Sequence, residues 1–333
     1  MHYKQWVNLE CFSEVAAAIK CLNILLSYLN KQLKTLVLYG MNEFTIKDIE
    51  NLSGIKAHTI RIWEQRYSFL KPQRTDTNIR YYSNTELKTI LNISLLNKYG
   101  YKISHIDRMS EPEMKEKILS ISHTDAQQER ITNELIQYMV DLDMDAFENL
   151  LDNYILARGI EKSITHIIFP FLERIGILWV TNHINPAQEH LVSNIIRQKL
   201  ISGIESTGSH INTNITGLLF LPEGEHHELG LLFMYYLLKS RGIKVLYIGA
   251  NVPLSDVDHI IKIKKPDFLY MHLTSVASNF NFEKFLNKIS HKIASAPIII
   301  SGHLSRLYKK KTPPGIYLKK SLQEVIEYIS SFK

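Results

Sequence analysis

The spacing of apolar residues follows four different patterns along the chain. Near the N-terminus, seven apolar positions alternate by four and three residues, as in a coiled-coil seam: Val15, Ile19, Leu22, Leu26, Leu29, Leu33 and Leu36. About three heptads make only a marginal helix alone. Residues 1–40 are therefore predicted to form a helical extension that either packs on its own protein or dimerises, unless translation starts at Met41.

The second pattern combines short helices with turn residues. Thr45 is suited to cap a helix over residues 46–52, which Gly54 would end, and a second helix is predicted over residues 57–67. A turn-rich basic segment and a short strand over residues 79–82 follow. This order of elements predicts a winged helix-turn-helix, which we assign to residues 41–111.

Charge strengthens this interpretation only where it clusters. The whole chain has a formal net charge of +6 and a pI near 9.0, which permits nucleic-acid binding without indicating it. Residues 56–84, however, contain six basic residues and two acidic ones, a net charge of +4 within the predicted second helix and wing. The sequence therefore predicts a DNA-binding surface there.

The third and fourth patterns divide the remainder of the chain. Residues 112–210 have apolar positions at helical spacing throughout, which predicts a four-helix bundle. Residues 211–333 alternate short apolar runs with helices, which predicts a doubly wound, Rossmann-like parallel sheet. Its strands are predicted at 216–221, 244–248, 268–273, 296–301 and 315–317.

Candidate metal-binding chemistry follows the first of these strands. Glu225, His227 and Gly230 form an E-x-H-x-x-G motif where a helix begins. Ligands of doubly wound sheets bind outside the carboxyl ends of the strands. Imidazole is a good ligand for a borderline metal such as cobalt, and Glu225 is placed to hold the second ring nitrogen of His227. We therefore predict a metal site at His227.

The winged helix-turn-helix segment resembles the MerR family. The matching residues are T-I-R-I-W-E-Q-R-Y, K-P-x-R and R-Y-Y-S, within residues 44–109. The resemblance implies that the second helix enters the major groove of double-stranded DNA and that the wing grips phosphates. It assigns Thr59, Arg61 and Arg66 to the groove and its flanking phosphates, and Arg74, Arg80 and Tyr81 to the wing.

The C-terminal segment resembles the cobalamin-binding domain that methionine synthase, the mutases and the CarH/LitR photoreceptor regulators share. The resemblance implies that His227 binds cobalt in place of the dimethylbenzimidazole base and that Gly230 leaves room for the nucleotide tail. Two further motifs of the family, S-x-L and G-G, would line that tail. They fall on Thr274-Ser275-Val276 and Ser301-Gly302, and both are altered in this chain.

A third motif lies in the predicted bundle. Trp179, Glu189 and His190 form W-x9-E-H, which resembles the signature of the CarH/LitR group. The resemblance implies that Trp179 covers the upper adenosyl group of adenosylcobalamin, that Glu189 contacts this group, and that His190 completes the motif. In the photoreceptors a His follows the Trp and binds cobalt after illumination. Val180 occupies that position here, so the sequence supports cobalamin binding more firmly than light sensing.

These patterns together predict a transcriptional regulator, not an enzyme, whose binding to a repeated or palindromic operator is controlled by cobalamin through a homo-oligomer, a dimer or a tetramer. Two alternatives stay open: a regulator that has lost cobalamin and uses its sheet domain for protein contacts, and a corrinoid methyl-carrier subunit. No apolar run is long enough to cross a bilayer, so we expect a cytoplasmic protein without a membrane partner. Both cysteines, Cys11 and Cys21, precede residue 41, which argues against thiolate metal sites beyond it.

Overall fold

The computed structural model describes residues 43–75, 77–180, 184–208, 213–274, 280–293 and 295–331. The predicted N-terminal seam lies outside these residues. By their contacts, the described residues form two units. One contains residues 43–143 and 171–186, and the other contains residues 144–170 and 187–331.

The first unit begins with a winged helix-turn-helix. Phe44 and Tyr82 are fully buried and exchange both backbone hydrogen bonds, which fixes the start of the first helix against the end of the wing. The wing is a two-stranded antiparallel hairpin. The elements are α1 Ile46–Ser53, α2 Ala57–Arg66, β1 Gln73–Arg74, β2 Arg80–Tyr81 and α3 Asn84–Lys98.

Local sequence sets the ends of these helices. Thr45 caps α1 in a capping box with Asp48, and Gly54 ends it in a left-handed conformation with φ of 72°. Ser83 and Glu86 form a second capping box at the start of α3. The predicted winged helix-turn-helix is therefore confirmed, although β2 is two residues long where four were predicted.

The segment between the wing and the sheet is helical, as predicted. Its elements are α4 Ile103–Ile106, α5 Glu111–Ser120, α6 Thr124–Asp141, α7 Met144–Arg158, α8 Ile160–Ser163, a π-helical turn Ile164–Ile168, α9 Phe169–Val180 and α10 Pro186–Ser206. In the first unit, α6 packs against α3. That unit also contains α9 from Phe171 onward, whereas α7, α8 and α10 from Ala187 belong to the second unit. The domain boundaries proposed at residues 40, 111 and 210 remain predictions.

The second unit is built on a five-stranded sheet in which all neighbouring strands are parallel. The strand order is β4-β3-β5-β6-β7. Helices alternate with the strands, which confirms the predicted Rossmann-like fold class. The elements are β3 Thr216–Pro222, α11 Leu229–Ser240, β4 Lys244–Val252, α12 Leu254–Lys264, β5 Phe268–His272, α13 Phe282–Lys292, β6 Ile298–Ser301, α14 His303–Leu307, β7 Ile316–Leu318 and α15 Leu322–Ser330.

Two features of this unit differ from the prediction. Strand β4 runs four residues beyond the predicted end at residue 248, because its register against β3 shifts near Phe220 and pairing resumes at Val252. The short helix α14 follows β6 directly and was not predicted. Among the described residues, no helix is both long and apolar enough to span a bilayer.

Candidate cofactor and DNA-binding sites

The loop carrying His227 lies at the point where the order of the sheet reverses. Strand β3 has β4 on one side and β5 on the other, and the chain leaves the carboxyl end of β3 through residues 223–228 before entering α11. In open α/β sheets this topological switch point is where ligands bind. The topology of the sheet alone therefore supports a ligand site at His227.

A fully buried carboxylate holds His227. Glu225 Oε1 accepts a hydrogen bond from the His227 backbone N at 2.9 Å and lies 2.7 Å from His227 Nδ1. Its Oε2 accepts from the Thr274 backbone N at 3.1 Å, in the loop after β5. A carboxylate only accepts hydrogen bonds, so the ring proton resides on Nδ1 and the lone pair on Nε2. The His227 side chain is 52% exposed, and this tautomer suits an imidazole that binds a metal.

The end of β4 supports the same loop. Asn251 adopts a left-handed conformation with φ of 57°, and its side-chain oxygen accepts from the Gly224 backbone N at 3.0 Å. The Asn251 backbone N donates to the Glu225 carbonyl at 3.1 Å. The unpredicted extension of β4 therefore has a structural role: it fixes the backbone on which Glu225 and His227 are mounted.

Gly230 has a close neighbour that the sequence did not reveal. A Cβ atom at Gly230 would lie 2.3 Å from the ring carbon Cδ2 of His272, so only glycine fits against that ring. At Gly302, which has φ of 99°, a Cβ atom would lie 2.3 Å from the Leu273 carbonyl oxygen. Protein atoms account for both glycines in this structure, so the predicted contact of either with a nucleotide tail remains a prediction.

The ring of His272 belongs to a polar cluster at the carboxyl ends of β5 and β6. Ser301 Oγ lies 2.8 Å from His272 Nδ1 and 2.6 Å from the hydroxyl of Tyr270, which is buried. Burial lowers the pKa of His272 to about 4, and the positive charge of Arg306 acts in the same direction against the opposing effect of Glu225. Burial also raises the pKa of Tyr270. His272 is therefore neutral at pH 7.

One face of α10 leads from the W-x9-E-H motif toward the His227 loop. Glu189 Oε1 accepts from Ser193 Oγ at 2.5 Å, and Arg197, four residues further along, forms an ion pair with Glu228. Glu228 Oε2 also accepts from the Tyr247 hydroxyl at 3.0 Å. Residues four apart share a helix face. Glu189 therefore lies on the same face of α10 as Arg197. Arg197 is the ion-pair partner of Glu228, which follows His227 in the sequence.

The remaining predicted cofactor residues are placed as follows. His190 Nδ1 lies 3.2 Å from Glu189 Oε2, and the His190 side chain is 74% exposed. Trp179 lies in the last turn of α9, but its side chain, like all of Ser275, is outside the described part of the structure. The ligand roles assigned to this set remain predictions.

The predicted DNA-contacting residues lie on α2 and the wing. Arg61 and Arg66 are exposed on α2, and Thr59 on the same helix is half-buried. Arg74 is exposed in β1, and its guanidinium donates to the Asn78 side chain at 2.7 Å across the wing turn. The residues predicted to contact DNA therefore lie on α2 and the wing, the two elements that the prediction named. Arg61, Arg66 and Arg74 among them are exposed.

Two of the wing residues also have partners within the protein. Arg80 Nε donates to Glu64 Oε2 at 3.0 Å, and Glu64, on α2, also accepts a hydrogen bond from the buried Tyr82 hydroxyl. Burial and the negative charge of Glu64 raise the pKa of Tyr82. Tyr81 donates to Gln73 at 2.6 Å between the two strands. Glu64 therefore joins the wing to α2, a role that sequence spacing did not indicate.

Comparison with known proteins finds family matches to two segments of the chain. Residues 44–111 match the MerR HTH family regulatory proteins, and residues 131–201 match a B12 binding domain. The HTH-type transcriptional repressor CarH of Myxococcus xanthus is 25% identical over 275 residues, which span 80% of this chain and 91% of CarH. The repressor CarA of the same organism is 26% identical over 269 residues, spanning 80% of this chain and 88% of CarA.

Among solved structures, the monomethylamine corrinoid protein of Methanosarcina barkeri is similar at 16% identity and a TM-score of 0.41, over 53% of this chain and 85% of that one. The resemblance inferred from the sequence motifs is confirmed by the family matches and by the two repressors. This chain therefore carries a MerR-type helix-turn-helix segment and a B12-binding segment, and it is related in sequence to the repressors CarH and CarA.

Proposed function

We propose that this protein is a transcriptional regulator whose binding to DNA is controlled by cobalamin, with His227 as the protein ligand of cobalt. The observation that carries the proposal is the buried Glu225 carboxylate, which holds Nδ1 of a half-exposed His227 at the switch point of a parallel sheet. The same chain contains a MerR-type winged helix-turn-helix and is related to two repressors.

The donor set fits a corrinoid. Bound cobalamin would supply a cobalt ion, and His227 would hold it through Nε2, because Glu225 fixes the ring proton on Nδ1. Glu225 is itself fixed by Thr274 and by the backbone bond from Asn251. The chain thus contributes an oriented imidazole on a backbone held from two neighbouring strands.

The proposed form of the cofactor is adenosylcobalamin. Support comes from Trp179, Glu189 and His190, whose spacing resembles that of regulators that bind this form. Glu189 accepts from Ser193 and lies beside His190, so its carboxylate is oriented for a further donor such as a sugar hydroxyl.

The proposed response is a change in DNA affinity through assembly. Exposed arginines on α2 and the wing suit guanine edges and phosphates of double-stranded DNA. A cofactor that favours one homo-oligomer would raise the affinity for a repeated operator, because linked binding sites act with a high effective concentration. We place this regulator in the cytoplasm, where its DNA target lies.

His227→Ala tests the cobalt ligand, and His226→Ala is the matched control because His226 is the exposed neighbour in the same loop. We expect wild type and His226→Ala to bind adenosylcobalamin with the spectrum of a cobalt ligated by protein imidazole. His227→Ala should bind more weakly and lose that spectrum. An unchanged spectrum in His227→Ala would remove His227 from the site.

A second function has one observation in its favour. The His272 ring occupies the space beside Gly230, and Ser301 bonds that ring and Tyr270, so two positions assigned to the nucleotide tail have protein neighbours. A regulator that has lost cobalamin and uses its sheet domain for protein contacts would have such a closed site. Purification with adenosylcobalamin separates the two functions: a red protein supports cobalamin control, and a colourless one supports the alternative.

A further inference from the structure

Arg174 joins three helices within the first unit. It lies on α9, and its guanidinium donates to the Asn133 side-chain oxygen on α6 at 2.6 Å. The other terminal nitrogen donates to the backbone carbonyl of Leu52, in the last turn of α1. The contact between Arg174 and Leu52 spans 122 positions of the sequence, so no local pattern could have revealed it.

Among the described residues, this cation donates to two neutral oxygens. Burial lowers the pKa of the Arg174 guanidinium, and the negative charge of Glu129 opposes that effect. Partial removal of a cation from water is costly unless its donors are satisfied. The carbonyl end of α1 partly compensates, because the last carbonyls of a helix have no partner within it and carry the negative end of the helix dipole. Arg174 therefore acts as a side-chain cap for α1 that is supplied by another helix.

The capped carbonyl adjoins the turn of the helix-turn-helix. The Ser53 carbonyl accepts from Ser94 Oγ on α3 at 2.6 Å, and the Gly54 backbone N donates to the Glu50 carbonyl at 2.9 Å. The turn that sets the angle between α1 and α2 is thus held from two directions, by α3 through Ser94 and by α9 through Arg174.

Helix α9 also carries the residue assigned to the upper face of the cofactor. Trp179 follows Arg174 by five positions on the same helix, a distance of roughly 7.5 Å along the helix axis at the usual rise per residue. A rotation or shift of α9 at Trp179 would therefore move the guanidinium that holds the turn. Arg174 and the position assigned to the cofactor therefore lie on one continuous helix, and a packed element of this kind carries coupling when both sites bias its arrangement.

We infer that Arg174 is a positioning residue that couples the orientation of the two DNA-reading helices to helix α9, and so to the presence of cofactor at Trp179. This inference rests on the proposed control of DNA binding by cobalamin. The proposed contacts with DNA and with the cofactor are made by other residues, so Arg174 belongs to neither binding site. Its loss should therefore leave the affinities of the separate sites for DNA and for cobalamin in place and reduce the effect of one ligand on the binding of the other.

The test uses the full-length chain and the ratio of its dissociation constants for DNA without and with adenosylcobalamin, in the dark at fixed salt. The duplex is one selected by the wild-type protein from a random pool. Arg174→Met keeps most of the side-chain volume and removes the donors. Arg130→Met is the matched control, because Arg130 lies on α6 and pairs with Glu134 on the same helix at 3.0 Å.

We expect a wild-type ratio of about 100-fold, a similar ratio for Arg130→Met, and a ratio at least fivefold smaller for Arg174→Met, which keeps the part of the gain that assembly alone supplies. Cobalamin affinity, read from absorbance, should change less than about threefold in each variant. Arg174→Lys should restore part of the ratio, since it retains the charge and can reach one acceptor. A full ratio in Arg174→Met would overturn the inference while leaving the proposed function intact, whereas a wild-type ratio of one would overturn both.

If Arg174→Met melts below the assay temperature, Asn133→Ala takes its place. This variant removes one acceptor and keeps the bond to the Leu52 carbonyl. A ratio reduced to less than half that of the wild type supports the coupling role of Arg174, and an unchanged ratio overturns it.

Discussion

Replacing Glu225 with Gln tests the cobalt site without removing the ligand itself. Among the described residues, at least three N–H groups converge on the carboxylate: two on Oε1, from the backbone and the ring of His227, and one on Oε2, from Thr274. Glutamine offers one oxygen and one NH₂ group. The least costly orientation directs the oxygen at His227 and the NH₂ at the Thr274 N–H, where two donors then face each other.

The size of the effect follows from these bonds. The orientation that keeps the His227 bonds loses one charge-assisted hydrogen bond, which costs about 1.5–3 kcal/mol of folding free energy. The ring of His227 then rests against a neutral oxygen instead of a carboxylate. Loss of such an outer partner reduces metal affinity by about 10–100-fold, or about 1.4–2.8 kcal/mol. Glu225→Gln should therefore weaken cobalamin binding by one to two orders of magnitude and lower the stability of the cofactor-free protein.

The assay is a titration of the cofactor-free protein with adenosylcobalamin in the dark, followed by absorbance, beside urea denaturation of the same samples. Glu223→Gln is the matched control, since Glu223 is exposed in the same loop. We expect the control to match the wild type in both measurements. Cobalamin affinity within twofold of the wild type in Glu225→Gln would refute the account of how His227 is held.

Two further predictions address DNA binding and pH. Arg80→Ala should weaken binding to all DNA sequences about equally and reduce the slope of log affinity against log salt concentration by about one. Measurement of affinity against salt on several duplexes checks this. Loss confined to one base pair would show instead that Arg80 reads sequence. Because the pKa of His272 falls from 6.5 to about 4 on folding, the unfolded chain binds more protons between these values, and stability is lost as pH drops through that window. From pH 7 to pH 5 the loss due to His272 should be about 2 kcal/mol, and urea denaturation should show it reduced in His272→Asn; equal losses in both proteins would contradict the assigned role.

Local signals made much of the fold predictable. Thr45 and Gly54 mark the ends of α1 because capping depends on a few adjacent residues. Apolar runs marked all five strands of the sheet for a similar reason, since strands buried by helices on both faces require them. The pairing of Glu225 with His227 was also within reach of sequence reasoning, because the two residues are only two positions apart.

Contacts between distant parts of the chain were not predictable in this way. Asn251 supports the His227 loop only because a register shift extends β4, and register shifts leave no clear mark in an apolar pattern. His272 lies in a strand of otherwise mostly apolar residues, and its contact with Gly230 depends on how α11 packs on β5. The bond from Arg174 to Leu52 depends likewise on the packing of helices far apart in sequence. These residues were missed because tertiary packing, not local preference, gives them their partners.

Control of DNA binding by cobalamin is tested by the dissociation constant for a selected duplex, measured in the dark with and without adenosylcobalamin. Assembly on a repeated operator predicts that the cofactor tightens binding by about 100-fold, near the lower end of the gain expected from linked sites. His227→Ala should lose this gain while keeping the affinity of the cofactor-free protein. Equal dissociation constants with and without adenosylcobalamin, in a protein that binds the cofactor, would contradict the account.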